Sequence, residues 1–138
     1  MTMMTPHVLP TIPARDRLVA RLALAAALPL SKAPLHAQVR CVRALPRRPY
    51  ISPARVRALH TAVRAMTPDW WPGRVACMEI SLATVIAASL TGGRAQWVLG
   101  ARFMPQGAHA WAEVPGGAAG RDEGDAFDRP WTPVITVL

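Results

Sequence analysis

The chain is short of several things. It has two cysteines in 138 residues, Cys41 and Cys77, so a disulfide scaffold is excluded. It holds two phenylalanines and one tyrosine, eight acidic residues, and no apolar run near the ~20 residues that span a bilayer. No Cys-x-x-Cys and no His-Glu-x-x-His is present, so no metal spacing stands out. Gly92-Gly93 and Gly116-Gly117 lack the following Lys-Ser/Thr of a phosphate loop. No cofactor or metal site is therefore expected.

What is there can bury a core. Hydrophobic residues make up 51% of the chain and charged residues 17%, a balance for one folded domain and not for a disordered one. Fourteen prolines predict frequent breaks and short elements. The net charge of +8 is uneven: residues 1–64 carry +10 and residues 65–138 carry −2. The basic half suits an acidic peptide, a nucleic acid or an anionic surface, but without a helix-turn-helix, zinc or RNA-sheet motif no nucleic-acid partner is expected. Leu22 to Leu30 after Arg15, Arg17 and Arg21 imitates a secretory signal. Lys32 directly follows it, however, and Leu35 occupies a site where cleavage needs a small residue. The segment reads as an amphipathic helix of a cytoplasmic protein, with weak membrane contact at most.

Residues 1–13 carry Pro6, Pro10 and Pro13 and read as a loose arm. Asp16 is placed to cap a helix to about Leu28, with Leu18, Leu22 and Ala25 as its apolar stripe and Pro29 as its stop. A second helix is expected over Leu35 to Leu45, with Arg40 and Arg43 on its wet side. Pro46-Arg47-Arg48-Pro49 then separates a helical N-terminal extension, residues 1–48, from a main domain, residues 49–138. Ser52-Pro53 opens a third helix as N-cap and first helical residue. Its stripe is Val56, Leu59, His60 and Val63, with Arg55, Arg57 and Arg64 toward water. Trp70 and Trp71 sit in a proline-bounded loop, as a plug against the core or a groove wall.

From Ile80 to Leu90 no charge appears, and apolar residues cover nearly every direction around a helix, which predicts burial. Gly92-Gly93 ends it by the left-handed route. The rhythm then changes to two: Trp97, Leu99, Ala101 and Phe103 alternate with Gln96, Val98, Gly100 and Arg102. After Pro105-Gln106-Gly107, the residues His109, Trp111 and Glu113 share one strand face. A last short strand is expected between Trp131 and Leu138. Helices, a buried helix, an antiparallel hairpin and a final strand make an α+β fold.

The position of Cys77 matters chemically. A thiol in the first turn of a helix feels the positive end of the macrodipole, which favours the nucleophilic thiolate. Free N–H groups of that turn suit a developing oxyanion. His109, on a following strand, suits the role of base, and an acid further on would fix its tautomer. Either residue alone reads more readily as structural, a small buried hydrophobe and an ordinary strand histidine; only the pair, in the order Cys, helix, strand His, brings the catalytic reading level. Cys41 reads as a bystander.

Cys77-Met78-Glu79-Ile80-Ser81-Leu82, Val98-Leu99-Gly100-Ala101 and above all His109-Ala110-Trp111-Ala112-Glu113-Val114 resemble the motifs of one family. It is the transglutaminase-like cysteine leader peptidases of lasso-peptide biosynthesis, the B proteins of those clusters. The resemblance covers Pro49 to Leu138, with Met78 for the family's Leu and Ile80 for its Arg. It implies a papain/transglutaminase-like core with a buried Cys-bearing helix packed on a small antiparallel sheet. It implies Cys77 as nucleophile, His109 as base and Asp122 as third member, with Asp125 and Asp128 as alternatives. The reaction implied is hydrolysis of the leader from a lasso precursor peptide. The implied partners are that precursor, a separate leader-recognition protein and an asparagine-synthetase-like cyclase. Two other readings stand beside it: a basic adaptor without catalysis, and an acyl transferase in which an amine captures the acyl-enzyme.

Overall fold

The computed structural model describes residues 12–68, 77–103, 106–119 and 132–137. Four helices precede four strands: α1 (Ala14–Leu30), α2 (Leu35–Arg43), α3 (Pro53–Ala65), α4 (Cys77–Leu90), β1 (Gln96–Phe103), β2 (Gln106–Val114), β3 (Gly117–Ala119) and β4 (Thr132–Val137). The strands form one antiparallel sheet in the order β3-β2-β1-β4. This is the α+β arrangement expected.

Helix α3 starts as its sequence dictates. The Ser52 side chain accepts a hydrogen bond from the Arg55 N–H at 3.1 Å, and Pro53 fills a first-turn position that needs no donor. Val56, Leu59, His60, Ala62 and Val63 are buried. Helix α4 ends in a Schellman cap: the Gly93 N–H donates to Ala88 O, the Gly92 N–H donates to Ser89 O, and Gly92 has φ +90°.

Helix α1 differs from expectation in three respects. It runs through Pro29 to Leu30, because a proline in the last turn forfeits a single backbone bond. Asp16 does not cap it. The helix begins after Pro13, and the carboxylate, 6% exposed, instead accepts two hydrogen bonds from the Arg55 guanidinium at 2.8 and 2.9 Å. Arg55, expected in water, is thus tied to α1, and the pairing holds the Asp16 carboxyl below the usual carboxylate range. Finally, the buried side consists of Asp16, Ala20, Ala23, Leu24, Ala27 and Leu28, and the stripe Leu18, Leu22, Ala25 faces outward. Small alanines allow α1 to approach its neighbours closely.

One core cluster joins Ala20, Ala23 and Leu28 of α1, Val42 of α2, Val56 and Leu59 of α3, Leu82 and Val85 of α4, and Trp97 and Ala112 of the sheet. On the opposite sheet face Val98 and Trp111 form a second, smaller cluster, both fully buried. β2 and β3 are joined by Pro115-Gly116, where Gly116 has φ +89°, the conformation a type II turn requires after proline. β3 begins at Gly117. Its missing side chain matters, since a Cβ there would stand 2.7 Å from Pro53 Cβ. β4 lies at the sheet edge, where Pro133 removes no bond from an interior ladder. Among the described residues no helix is long and apolar enough to cross a membrane.

Candidate functional site

Cys77 is the first residue of α4, and His109 lies on β2, 32 positions later. The fold brings them together: the His109 imidazole hydrogen-bonds the Cys77 sulfur. That bond is the main cause holding the thiol below its ordinary pKa. Burial of the half-buried sulfur pushes the other way, as does the nearby Glu79 carboxylate. The Ala110 backbone N–H also donates to the sulfur and so favours the thiolate.

The register explains how a main-chain donor becomes available. β3 pairs with Ala112, Glu113 and Val114 of β2 and reaches no further. At Ala110, among the described residues, no strand pairs with the outer edge of β2, so its N–H is directed at the thiol instead of a ladder partner. His109 lies opposite Gly100 of β1, a position without a side chain to crowd the ring. Its ring centroid is 6.0 Å from that of Trp111, at an interplanar angle of 31°. The Trp111 indole N–H donates a long 3.4 Å bond to Glu113 Oε1, so the three residues of one strand face form a connected row.

The first turn of α4 is anchored to the sheet. The Trp97 indole N–H, fully buried, donates to Ser81 Oγ at 2.9 Å, and Ser81 Oγ donates to Met78 O at 3.0 Å. Trp97 pairs with Ala112 of β2, so a single strand step links the turn bearing Cys77 to the strand bearing His109. Ile80, where the family resembled has Arg, packs against the apolar core.

Asp122, Asp125 and Asp128 lie outside the described residues, as do Trp70 and Trp71. Cys41 is exposed on α2 and unbridged. Among the described residues no group of His, Cys, Asp and Glu is arranged to hold a metal ion. Two contributors were not legible beforehand. The Ala110 N–H has no side-chain signature, and the Trp97–Ser81 bond joins residues whose pairing only the fold creates.

A thiol made acidic by an imidazole and a main-chain N–H, at a helix start where further N–H groups lack intrahelical partners, is equipped for nucleophilic attack on a carbonyl. No curated protein and no solved structure matches the chain significantly. The family model of the transglutaminase-like superfamily matches residues 18–132, from the first turns of α1 to the start of β4, and the chain belongs to that superfamily.

Proposed function

We propose that the protein is a cysteine peptidase that removes the leader from a lasso-peptide precursor. The transglutaminase-like fold is consistent with cysteine-protease or acyltransferase chemistry. The observation that carries the reading is the hydrogen bond between His109 and the Cys77 sulfur at the start of α4. The His-Ala-Trp-Ala-Glu-Val segment supports the finer assignment through its likeness to the leader peptidases.

In the proposed reaction the Cys77 thiolate attacks the scissile carbonyl carbon, forming an S–C bond and placing negative charge on oxygen. N–H groups of the first turn of α4 receive that oxyanion. The His109 imidazolium gives its proton to the leaving amine as the C–N bond breaks. Water, deprotonated by His109, then attacks the thioester, releasing the leader carboxylate and restoring the thiolate–imidazolium pair. Asp122 is the proposed orienting acid, with Asp125 and Asp128 as alternatives. A leader-recognition protein is proposed to present the precursor, and a cyclase to consume the freed core. No cofactor enters any step.

The test incubates precursor and recognition protein with wild type, Cys77→Ala, His109→Ala, Asp122→Ala, Asp125→Ala and Asp128→Ala, followed by mass spectrometry. Leader release is expected from wild type and none from Cys77→Ala or His109→Ala. Release by Cys77→Ala would end the reading. Products carrying an added amine in place of water would redirect it to acyl transfer.

A further inference from the structure

Helix α1 is apolar on two sides, and only one is used. Leu18 and Leu22, one turn apart, are 59% and 53% exposed, and Ala25 and Pro29 are exposed along the same line. Helical geometry places Arg15 on one flank of this line and Arg21 on the other, both exposed. The single acid of the helix, Asp16, is on the buried side and held by Arg55. Beside the line opens a cavity of about 470 Å³, bordered by Arg21, Leu24, Ala25, Leu28, Pro29 and Met66.

We infer that this face docks an acidic amphipathic helix of a partner protein. The partner's apolar side chains lie on Leu18 and Leu22, one of them fills the cavity, and its carboxylates meet Arg15 and Arg21. Charge and shape select this occupant. A second copy in a two-fold contact would bring the same face, which offers no Asp or Glu to answer Arg15 and Arg21. The chain's own residues 1–11 contain no Asp or Glu to answer those cations. A bilayer is the poorer match, because the line has no Trp, Tyr or Phe to seat at the interface and a concave recess accepts a knob better than a plane. The face belongs to α1, whereas Cys77 and His109 belong to α4 and β2, so the inference does not rest on the hydrolytic reading.

The experiment uses the full chain, as wild type and as Cys77→Ala, with a fluorescent helical peptide bearing leucines along one side and glutamates elsewhere. Anisotropy should show saturable binding, equal for both proteins. Leu18→Ser/Leu22→Ser should weaken it at least ~10-fold, the scale of losing two central apolar anchors. Arg15→Gln/Arg21→Gln should weaken it less and flatten its salt dependence. Far-UV circular dichroism checks that both variants are folded. The inference is overturned by no binding, by equal binding of a peptide with lysines for glutamates, or by binding that both variants leave intact. It is equally overturned if phosphatidylserine vesicles or self-association in sedimentation velocity, and not the peptide, lose strength in Leu18→Ser/Leu22→Ser.

Discussion

Helices α1 and α4 are both rich in alanine and leucine, yet the fold treats them differently. α4 is enclosed: α1 and α3 cover it on one side and the sheet on the other, and Ser81 through Val85 are buried in succession. α1 is enclosed on one side alone, leaving Leu18 and Leu22 in water while Ala20, Ala23 and Ala27 are fully buried. Apolar content therefore says that a helix wants burial, but the number of neighbours decides how much it receives. The enclosed helix also carries the Cys77 sulfur, in a turn tied to the sheet through Met78, Ser81 and Trp97.

Five measurements sharpen that contrast. The largest effect is expected at the start of α4. Cys77→Ala should lower the rate of the proposed leader removal on the order of 10⁴-fold or more, while Cys41→Ala on α2 changes little. In a separate alkylation assay, His109→Gln should move the pH profile of Cys77 upward, because the hydrogen bond that chiefly favours the thiolate is gone. An unmoved profile would mean that the imidazole does not set the reactivity of the sulfur.

Next comes packing. Leu82, fully buried on α4, should lose about 3 kcal/mol of stability on change to Ala, read by urea denaturation. The pair joining α1 to α3 follows. Arg55→Ala leaves the Asp16 carboxylate nearly buried and alone, at a cost of about 2 kcal/mol at neutral pH, between the values for exposed and buried pairs. The folded-state pKa of Asp16 is depressed, so the pair's contribution is complete above the unfolded carboxylate pKa. It is lost as pH falls through the depressed value, and the difference between wild type and variant should close there. The smallest effect belongs to the outer face of α1: Leu22→Ala should cost under about 0.5 kcal/mol. A loss there equal to that at Leu82 would abolish the distinction between the two helices.

Local signals in the sequence carried most of the architecture. Ser52-Pro53, the charge-free stretch to Leu90, Gly92-Gly93 and the alternation around Trp97 each act within a few residues, and each produces the element it announces. What failed was long-range. Asp16 meets a partner 39 positions away, so nothing near it distinguishes a cap from an ion pair. On α1 two stripes were available, and leucine outweighs alanine on any hydropathy scale, although alanine is what permits close helix contact. The candidate site divides in the same way: side chains of Cys77 and His109 could be read, whereas a main-chain donor could not.

That donor has an evolutionary corollary. Because the group facing the sulfur from position 110 is part of the polypeptide backbone, nineteen of the twenty genetically encoded residues would supply it, and proline alone would not. Drift at this codon is therefore limited by the room available to a side chain and by the exclusion of one imino acid. Part of what tunes the thiol is inherited with the chain itself, beyond the reach of most point mutations.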